Sequence, residues 1–581
     1  VTVTQQNSRT VSGIVKDATG ETIIGANVSV KGTTTGTITD IDGKFSLNVP
    51  AGSTLKISYI GYQDFETVIT TQSTLDVVLK VDSKTLDEVV VVGFGSQKKV
   101  NVTGAVSMVG SEVIESRPVQ NVSQALQGVV PGLNFSVNTS GGALDNSLNV
   151  NIRGAGTIGD GSNSSPLVLI DGVEGNMNAI NPQDIESISV LKDAASASIY
   201  GARAAFGVIL INTKSGKSGR TNVNYSGNVR FTDALAVPDM LDSYKFAQYF
   251  NEAAKNSGQG AVFSETQMQR ILAYQKGEIT DGATINKNNN RWENYTGANA
   301  NTDWFKEMYK DWVPSHEHNL SVSGGNEKVT YLVSGNFLDQ NGLIAHGKDK
   351  FNRYTLNGKI NATLSDYVKL NYSSKWIRED YKRPSYMTGL FFHNIARRWP
   401  TNPVYDPNGY YMEGNEIIQM EDGGIQKNQK DYAYQQLQLV IEPIKDWKIY
   451  AEGNLNTITN FQHWEVLPVY AHDVNGDQYA FSWDGRAVGS TTVNEYGYKE
   501  NFMTTNIYSD YFKQFDNGHF IKVMGGFNAE VMKTRSLSAQ GDGLITPSVP
   551  TVSTTTSNPS VGGGYAHWAT AGFFGRLNYN Y

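Results

Sequence analysis

Residues Ile180 to Gly219 read INPQDIESISVLKDAASASIYGARAAFGVILINTKSGKSG and contain both helix and strand patterns. Pro182 to Glu186 predicts a capped helical turn, and Ile188 to Leu191 predicts a strand. Asp193 to Tyr200 is a run of small residues that favours a helix, and Phe206 to Asn212 is a second apolar strand. Together these patterns predict a mixed α/β unit.

Two stretches upstream belong to the same unit. They are SQALQGVVPGLNF (Ser123 to Phe135) and NIRGAGTIGDGSNSSPLVLIDGV (Asn151 to Val173), and the second contains a short buried strand that ends in a turn. The strings IRG, PLVLIDGV, DIESISVLKDAASASIYG and GVILINTKSG occur in this order. In that order and spacing they resemble the plug domain of a TonB-dependent outer-membrane transporter of the SusC/RagA family. The plug is expected over residues 96–219.

Five charged or aromatic residues match the plug motifs of that family and are expected to stabilise the plug: Arg153, Asp171, Lys192, Asp193 and Tyr200. Arg153 and Asp171 lie in segments that otherwise read as buried, so each should have an oppositely charged partner. For each of them, a salt bridge to another plug residue or to the inner wall of the surrounding barrel is favoured over contact with a ligand. Our hypothesis is that Arg153 holds the plug to the wall.

Residues 9–81 read as a small β-sandwich. Apolar residues alternate in runs such as Val28/Val30 and Leu55/Ile57/Tyr59, and turn signals such as Asp42-Gly43 separate them. With VSGIVKD, ANVSVKG and ISYIGYQ, this segment resembles the carboxypeptidase-regulatory-like domain, a transthyretin-like sandwich. The name implies no enzyme, because nothing in these residues could hydrolyse a peptide.

The linker over residues 82–95 contains the string LDEVVVVGFG, from Leu86 to Gly95. Four consecutive valines have high strand propensity but place apolar side chains on both faces. The residues themselves leave two alternatives open: a buried strand of the sandwich, or an extended peptide that adds to another protein's sheet edge. The family resemblance identifies Asp87, Glu88, Val89, Val90, Val91 and Val92 as a TonB box.

Residues 220–581 have a different sequence pattern: segments of about ten residues in which apolar and polar side chains alternate. About ten strands are expected, near 222–231, 317–325, 328–338, 351–364, 367–378, 432–443, 446–457, 500–514, 518–532 and 569–581. Tight turns and long loops alternate between them, which is the layout of an outer-membrane barrel. In such a barrel the apolar face meets lipid and the polar face meets the lumen.

The fold class predicted is therefore mainly β: a transmembrane antiparallel β-barrel with an α/β plug and an N-terminal sandwich. The family resemblance implies about twenty-two strands, whereas the sequence supplies about ten. A ten-stranded barrel would be too narrow to hold the plug. We therefore expect residues 220–581 to be the N-terminal part of a larger barrel, in a chain that looks C-terminally incomplete.

The composition excludes several function classes. The chain has 581 residues, no cysteine and a net charge of −8, which argues against thiol chemistry and nucleic-acid binding. No catalytic residues are identified, because no triad, phosphate-binding loop or metalloprotease motif is present. No cofactor is expected. His316 and His318 form a close pair, but with no third ligand they are interpreted as lumen-facing histidines rather than a metal site.

Aromatic residues in the long loops are candidate ligand contacts, because aromatic rings stack on sugars. The candidates are Tyr410, Tyr411, Trp464 and Trp483. The same residues would equally suit a protein interface or a membrane girdle.

The resemblance implies TonB-dependent import of a large nutrient across the outer membrane of a Gram-negative, Bacteroidota-like bacterium. The nutrient is commonly an oligosaccharide and sometimes an oligopeptide. The implied partners are a SusD-like surface lipoprotein, TonB with ExbB and ExbD, and the lipid of the outer membrane. The sandwich and TonB box would be periplasmic and the long loops extracellular. Two alternatives are a receptor or adhesin that binds without transporting, and a secreted glycosidase, which would need two facing carboxylates.

Overall fold

The computed structural model describes residues 8–581 except 18–19, 34, 51, 60–61, 71, 81–88, 93–94, 99–104, 118, 138–141, 145–147, 155–164, 236 and 483–484. The chain forms two compact units, Val1–Thr103 and Gly104–Tyr581. Within the described ranges, no helix is long and apolar enough to cross a membrane.

Among the described residues, the first unit contains nine short strands. They are β1 (Ser8–Asp17), β2 (Asn27–Val30), β3 (Gly36–Ile38), β4 (Lys44–Pro50), β5 (Thr54–Ser58), β6 (Phe65–Val68), β7 (Thr74–Leu79), β8 (Val89–Val92) and β9 (Gly95–Lys98). One sheet has the order β4-β1-β7 and another the order β3-β2-β5-β6. Their buried faces share one apolar core, which includes Val11, Val28 and Leu55. The alternation thus correctly predicted a sandwich.

Close packing in this sandwich requires glycine at position 13. A Cβ at Gly13 would lie 1.8 Å from the carbonyl oxygen of Leu75, on the neighbouring strand β7. The backbones of β1 and β7, which run parallel, therefore approach more closely than any side chain allows.

The second unit begins with the plug, which we define as residues 105–213. Its elements are β10 (Val106–Gly110), α1 (Ser111–Glu115), α2 (Val122–Leu126), β11 (Leu133–Ser136), β12 (Asn149–Ile152), β13 (Leu167–Ile170), β14 (Val173–Glu174), a 3-10 helix (Pro182–Asp184), β15 (Ile185–Leu191), α3 (Ala194–Ala197), a 3-10 helix (Ser198–Ala204) and β16 (Val208–Thr213). A five-stranded sheet has the order β10-β15-β16-β13-β14.

The predicted helix from Asp193 to Tyr200 is confirmed, although its second half is a 3-10 helix. Its α-helical part covers Ala194–Ala197 and continues as the 3-10 helix, which Gly201 interrupts with a φ of +68°. A left-handed residue cannot continue a right-handed helix, so the helix ends here. The predicted strands and the capped turn at Pro182 are confirmed, and the side chain of Asn181 accepts a hydrogen bond from the Gln183 amide.

The rest of the second unit is a large antiparallel sheet with long loops. Its elements are β17 (Gly219–Thr232), α4 (Ser243–Asn256), α5 (Glu265–Gln275), β18 (Ile285–Asn286), β19 (Arg291–Trp292), a 3-10 helix (Tyr295–Gly297), α6 (Trp304–Met308), β20 (Val313–Gly325), β21 (Val329–Asn341), β22 (Lys350–Ser365), β23 (Val368–Pro384), α7 (Gly389–Arg397), α8 (Ile417–Asp422), β24 (Ile425–Ile444), β25 (Trp447–Val466), β26 (Val469–His472), β27 (Gln478–Phe481), β28 (Thr492–Gln514), β29 (Phe520–Leu544), a 3-10 helix (Val552–Thr554) and β30 (Thr555–Asn580).

Ten of these strands form one sheet in the order β17-β20-β21-β22-β23-β24-β25-β28-β29-β30, which we call the wall. All ten predicted strands are confirmed, and most are longer than predicted on the side of the long loops. We call the face that contacts the plug the inner face. On β22 the inner residues Arg353, Asn357 and Lys359 are buried, whereas the outer residues Leu356 and Ile360 are exposed.

Candidate functional site

The carboxylate of Asp171 links the plug to two strands of the wall. Asp171 lies in the turn between β13 and β14 with a φ of +50°. Its Oδ1 accepts a hydrogen bond from Lys359 Nζ on β22 at 3.0 Å, and its Oδ2 forms an ion pair with Lys375 on β23. Within the plug, the Thr213 amide donates to Oδ1 at 2.9 Å and the Thr213 hydroxyl donates to Oδ2 at 2.8 Å.

Asp171 is charged in this environment. Burial alone would raise the pKa of Asp171, but the ammonium groups of Lys375 and Lys359, together with the Thr213 amide, hold the pKa well below its usual range. Both lysine side chains are about as buried as the carboxylate. The Asp171 carboxylate thus faces two buried lysines. Removing the carboxylate would leave two buried ammonium groups unpaired, and removing both lysines would leave a buried carboxylate unpaired. The sequence correctly predicted that Asp171 is paired.

Further polar contacts join the plug to other strands of the wall. Arg203 forms ion pairs with Glu174 of the plug at 2.8 Å and with Glu530 of β29 at 2.7 Å. The Ser334 hydroxyl on β21 donates to Asp184 Oδ1 at 2.7 Å. Burial raises the pKa of Asp184, and this hydrogen bond opposes the shift. The inner face therefore contacts the plug through specific polar pairs rather than through apolar packing alone.

Arg153 does not have the environment that we predicted. It is exposed rather than buried, and its amide donates to the Gly132 carbonyl at 2.7 Å, within the plug. Burial lowers the pKa of Lys192 and hydrogen bonds lower the pKa of Asp193, and the nearby charge of Arg153 adds to both shifts. Its described contacts are thus local to the plug. The plug–wall contact predicted for Arg153 is formed by Asp171 instead.

The three remaining motif residues lie within the plug or face the wall. Asp193 caps α3 by accepting from the Ser196 amide at 2.8 Å, and it also accepts from the Ala105 amide at 2.6 Å. These hydrogen bonds lower the pKa of Asp193. Lys192 Nζ donates to the Pro131 carbonyl at 2.5 Å. Tyr200 is half-buried and interacts electrostatically with Arg576 and Glu452 of the wall.

The predicted TonB box lies partly outside the described residues, since Asp87 and Glu88 fall in the range 81–88. Its second half, Val89–Val92, is strand β8, which pairs antiparallel with β9, Gly95–Lys98. This two-stranded sheet is separate from both sheets of the sandwich. The backbone pairing therefore does not make Val89–Val92 a strand of the sandwich, which was the first of the two alternatives.

A cavity of about 560 Å³ lies between the plug and the loop ends of β21 to β24. Most of its lining side chains are polar or aromatic. They are Gln120, Asn121, Gln124, Gly142, Ala143, Leu144, Asn176 and Asn178 from the plug, and Thr232, Leu338, Gln340, Asn341, Leu343, Phe351, Arg353, Glu379, Tyr381, Asn428, Lys430 and Tyr432 from β17, the wall and its loops. Its volume is within the usual range for ligand pockets.

Arg353 occupies the boundary between this cavity and the plug. Its two terminal nitrogens donate to the carbonyls of Asn178 and Gln120, both at 3.0 Å. Its Nε, and Oδ1 of Asn428, are buried without a hydrogen-bond partner in the protein. Because buried polar atoms normally have a partner, these two atoms are available to water or to a bound ligand. The cavity therefore offers donors, acceptors and aromatic surface to a polar ligand.

The predicted ligand-binding aromatics lie elsewhere, and the described ones do not line this cavity. Tyr410 stacks on His472 with ring centroids 3.7 Å apart, and Tyr411 stacks on Tyr405 at 5.0 Å. Burial raises the pKa of Tyr411 to about 12. Trp464 packs against the apolar cluster of the loops, beneath the guanidinium of Arg486. Trp483 lies outside the described residues. These aromatic residues stay predictions as ligand contacts.

The interpretation of His316 and His318 as lumen-facing is wrong. Both lie on the outer face of β20, where His318 Nδ1 is 2.8 Å from the Tyr225 hydroxyl. Glu317 between them points inward and forms an ion pair with Arg230. The register places even-numbered residues of β20 on the exposed side, which the sequence pattern alone left ambiguous. Over the described part of the chain, no group of three or more His, Asp or Glu residues could hold a metal ion.

Comparison with known protein families gives two matches. Residues 98–208 match the TonB-dependent Receptor Plug Domain, and residues 11–91 match the CarboxypepD_reg-like domain. The first range includes the plug residues described above, and the second includes the sandwich together with Val89–Val91. Both family resemblances that the motifs predicted are thereby confirmed.

Two curated relatives are similar over most of the chain. TonB-dependent receptor SusC of Bacteroides thetaiotaomicron is 30% identical over 89% of this chain and 50% of its own length. TonB-dependent receptor P26 of Formosa agariphila is 29% identical over 99% of this chain and 54% of its own length. The chain thus spans about half the length of the curated relatives that it matches.

A solved structure shares the fold. The RagAB peptide importer in its "open-open" state matches with a TM-score of 0.68 and 22% identity, over 85% of this chain and 55% of that chain. At this level of identity the likeness concerns the fold, a plug associated with a wall of long antiparallel strands.

The sequence matches and the fold define the class: TonB-dependent receptors, which are outer-membrane β-barrel proteins of Gram-negative bacteria. Within that class the chain is a SusC-like receptor with an N-terminal CarboxypepD_reg-like domain. The curated relatives are named as receptors and not as enzymes.

Proposed function

We propose that this chain serves TonB-dependent import of a large nutrient across the outer membrane. In this proposal residues 9–81 form a periplasmic sandwich, 82–95 contain the TonB box, 96–219 form the plug, and 220–581 form part of the barrel. The long loops face the outside of the cell. The observation that carries the proposal is the plug held against the inner face by Asp171 and its two wall lysines.

A contact of this kind can be broken by a pulling force. The polar plug–wall contacts are separate pairs on different strands, so pulling on the plug would break them one at a time rather than all together. Asp171 lies in a turn, and its lysine partners lie on adjacent wall strands. A force applied upstream of residue 105 would therefore detach part of the plug without unfolding the wall, whose strands are continuously paired.

The segment Asp87 to Val92 is proposed to transmit that force. Val89–Val92 already has strand geometry and pairs only with the short strand β9 among the described residues. An isolated two-stranded hairpin is marginally stable, so exchange of β9 for the edge of a TonB sheet is energetically accessible. TonB would be energised by ExbB and ExbD.

The proposed nutrient is an oligosaccharide, with an oligopeptide as the second candidate. Amide side chains on the plug side of the cavity and aromatic side chains on the wall side suit hydroxyl groups and sugar faces respectively. Because Gln120 and Asn178 accept hydrogen bonds from Arg353 through their carbonyls, occupancy of the cavity would act on the plug directly. A SusD-like lipoprotein is proposed to cover the long loops and deliver the nutrient.

The experiment uses two matched variants of the TonB box. Val89→Asp with Val91→Asp should abolish strand addition, whereas Val89→Ile with Val91→Ile should retain it, because isoleucine has the same strand propensity as valine. Cells carrying each form are incubated with panels of fluorescent oligosaccharides and oligopeptides. We expect uptake to be lost with the aspartates alone, while surface binding stays unchanged in both variants.

Retained uptake with the aspartates would refute the coupling. Binding without uptake in the unaltered protein would instead favour the alternative of a receptor or adhesin that does not transport. The panel that the cells take up identifies the nutrient class, and uptake of peptides alone would contradict the oligosaccharide assignment.

A further inference from the structure

On the outer face of the wall, exposed apolar residues give way to charged residues near the loop ends of neighbouring strands. On β22 the outer residues Leu364, Ile360 and Leu356 are exposed and apolar, and the series continues through Tyr354 to Lys350 at the loop end. On β23 the exposed Trp376 is likewise followed toward the loop end by charged residues. An apolar band bounded by aromatic residues marks the hydrocarbon zone of a membrane, so the charged residues lie at headgroup level.

Three lysines on adjacent strands occupy one row at this level. Lys350 of β22 is directly opposite Lys382 of β23, which is directly opposite Lys427 of β24. Like charges directly opposite each other destabilise a sheet. Lys350 is neutralised by Asp339, 2.7 Å away, but neither Lys382 nor Lys427 has an ion-pair partner among the described residues. The row therefore carries uncompensated positive charge.

A cavity of about 510 Å³ opens beside this row, at the loop ends of β20 to β23. Its lining includes four lysines, Lys310, Lys348, Lys350 and Lys382, against two aspartates, Asp311 and Asp349. Lys310 and Lys348 are exposed. The cavity thus has a net positive lining and lies directly above the apolar band.

Trp312 lines the same cavity and has an unusual conformation. Its φ is +53°, a region that bulky side chains rarely adopt, and 67% of its surface is exposed. The backbone conformation of Trp312 costs free energy, and exposure of its indole ring to water is also unfavourable. Tryptophan is favoured at the membrane interface, where its ring contacts acyl chains and its N–H contacts headgroups.

We propose that this cavity binds the phosphorylated headgroup of an outer-leaflet glycolipid, with Lys348 and Lys382 contacting phosphate and Trp312 contacting the lipid. The lysines supply charge-assisted hydrogen bonds, and the apolar band below accommodates the acyl chains. A phosphate bound here also relieves the repulsion within the lysine row. The assignment to the outer leaflet rests on the orientation given in the proposed function, but the binding itself does not.

The test measures lipid binding to the purified protein in detergent by native mass spectrometry, and it needs neither TonB nor a nutrient. The probes are lipid A that carries phosphate, the same lipid after enzymatic dephosphorylation, and inorganic phosphate. The test variant is Lys348→Gln with Lys382→Gln. The control is Lys328→Gln with Lys445→Gln, which removes two exposed lysines at the opposite, turn end of the wall. Equal thermal unfolding midpoints establish that both variants are folded.

We expect the test variant to bind phosphorylated lipid A about 30-fold more weakly, roughly fivefold for each lysine, and the control to bind normally. Dephosphorylated lipid should bind weakly to every form. Equal affinity in the test and control variants would overturn the proposal, and so would indifference to the lipid phosphate. Displacement of the lipid by an equal concentration of inorganic phosphate would also overturn it, because the site would then recognise free phosphate rather than a lipid.

Discussion

Replacing Asp171 by asparagine should loosen the plug while leaving the wall intact. The substitution removes the anion that faces Lys359 and Lys375 but keeps the size of the side chain and the hydrogen bond from Thr213. Leaving buried cations without a partner costs about 3–5 kcal/mol. If opening of the plug breaks this contact, hydrogen exchange of the plug amides should accelerate by about a hundredfold to several thousandfold.

The measurement is native-state hydrogen exchange of the amides in β13 and β16, which flank Asp171. The matched control is Glu186→Gln, a carboxylate-to-amide change in the same domain at an exposed pair with Lys217, 4.0 Å away. Exposed pairs contribute only about 0–1 kcal/mol, so the control should exchange nearly as the unaltered protein does. Equal exchange in the Asp171→Asn and Glu186→Gln proteins would show that the Asp171 contact does not stabilise the plug against the wall.

The dependence on pH has a defined sign. Lys375 and Lys359 hold the pKa of Asp171 below its ordinary value of 3.8, so the contact stabilises the plug fully above that pH. The difference in exchange between the unaltered and Asp171→Asn proteins should stay constant from about pH 5 to pH 8 and shrink only on acidification below 3.8. A difference that disappears near neutral pH would contradict a charged Asp171.

Three further variants test other parts of the structure. Gly13→Ala should destabilise the sandwich by about 1–3 kcal/mol or more, measured as faster exchange in β1 and β7, because its Cβ meets the Leu75 carbonyl. Arg353→Met should weaken binding of the transported nutrient and accelerate exchange near Gln120, since it removes two hydrogen bonds to the plug; unchanged binding and exchange would contradict this. Lys359→Met with Lys375→Met and Asp171→Leu should restore exchange protection lost in Asp171→Asn, because no buried charge is left unpaired.

The sequence predicted the ten strands of the wall because lipid on one side and the lumen on the other impose a period of two on the side chains. It located the loop ends of these strands poorly. β29 extends to Leu544 and β30 begins at Thr555, whereas the pattern ended at residue 532 and began at residue 569. In this region small residues occupy both faces, with Ser538 and Gly562 on one and Ala539 and Gly563 on the other, so the alternation on which the prediction depended is weak.

The candidate site was predictable only in part. A charged residue in a buried turn requires a partner, which correctly identified Asp171 as paired. Its partners lie 188 and 204 residues away in the sequence and become neighbours only through the register of the wall. The cavity was missed for the same reason, since Arg353 and Tyr432 read as ordinary inward-facing strand residues. The aromatic residues drew attention by composition, although the structure places the described ones in the loop cluster.

The most direct test of the account joins the plug to the wall covalently. The chain has no cysteine, so Asp184→Cys with Ser334→Cys introduces a single pair, at a contact where the native side chains are 2.7 Å apart. Each single variant is the control, and the nutrient is the one identified by the uptake panels. If import requires the plug to separate from the wall, oxidation should stop uptake while surface binding persists. Reduction should then restore uptake. A fully cross-linked protein that imports the nutrient at the uncross-linked rate would contradict the claim that the plug parts from the wall.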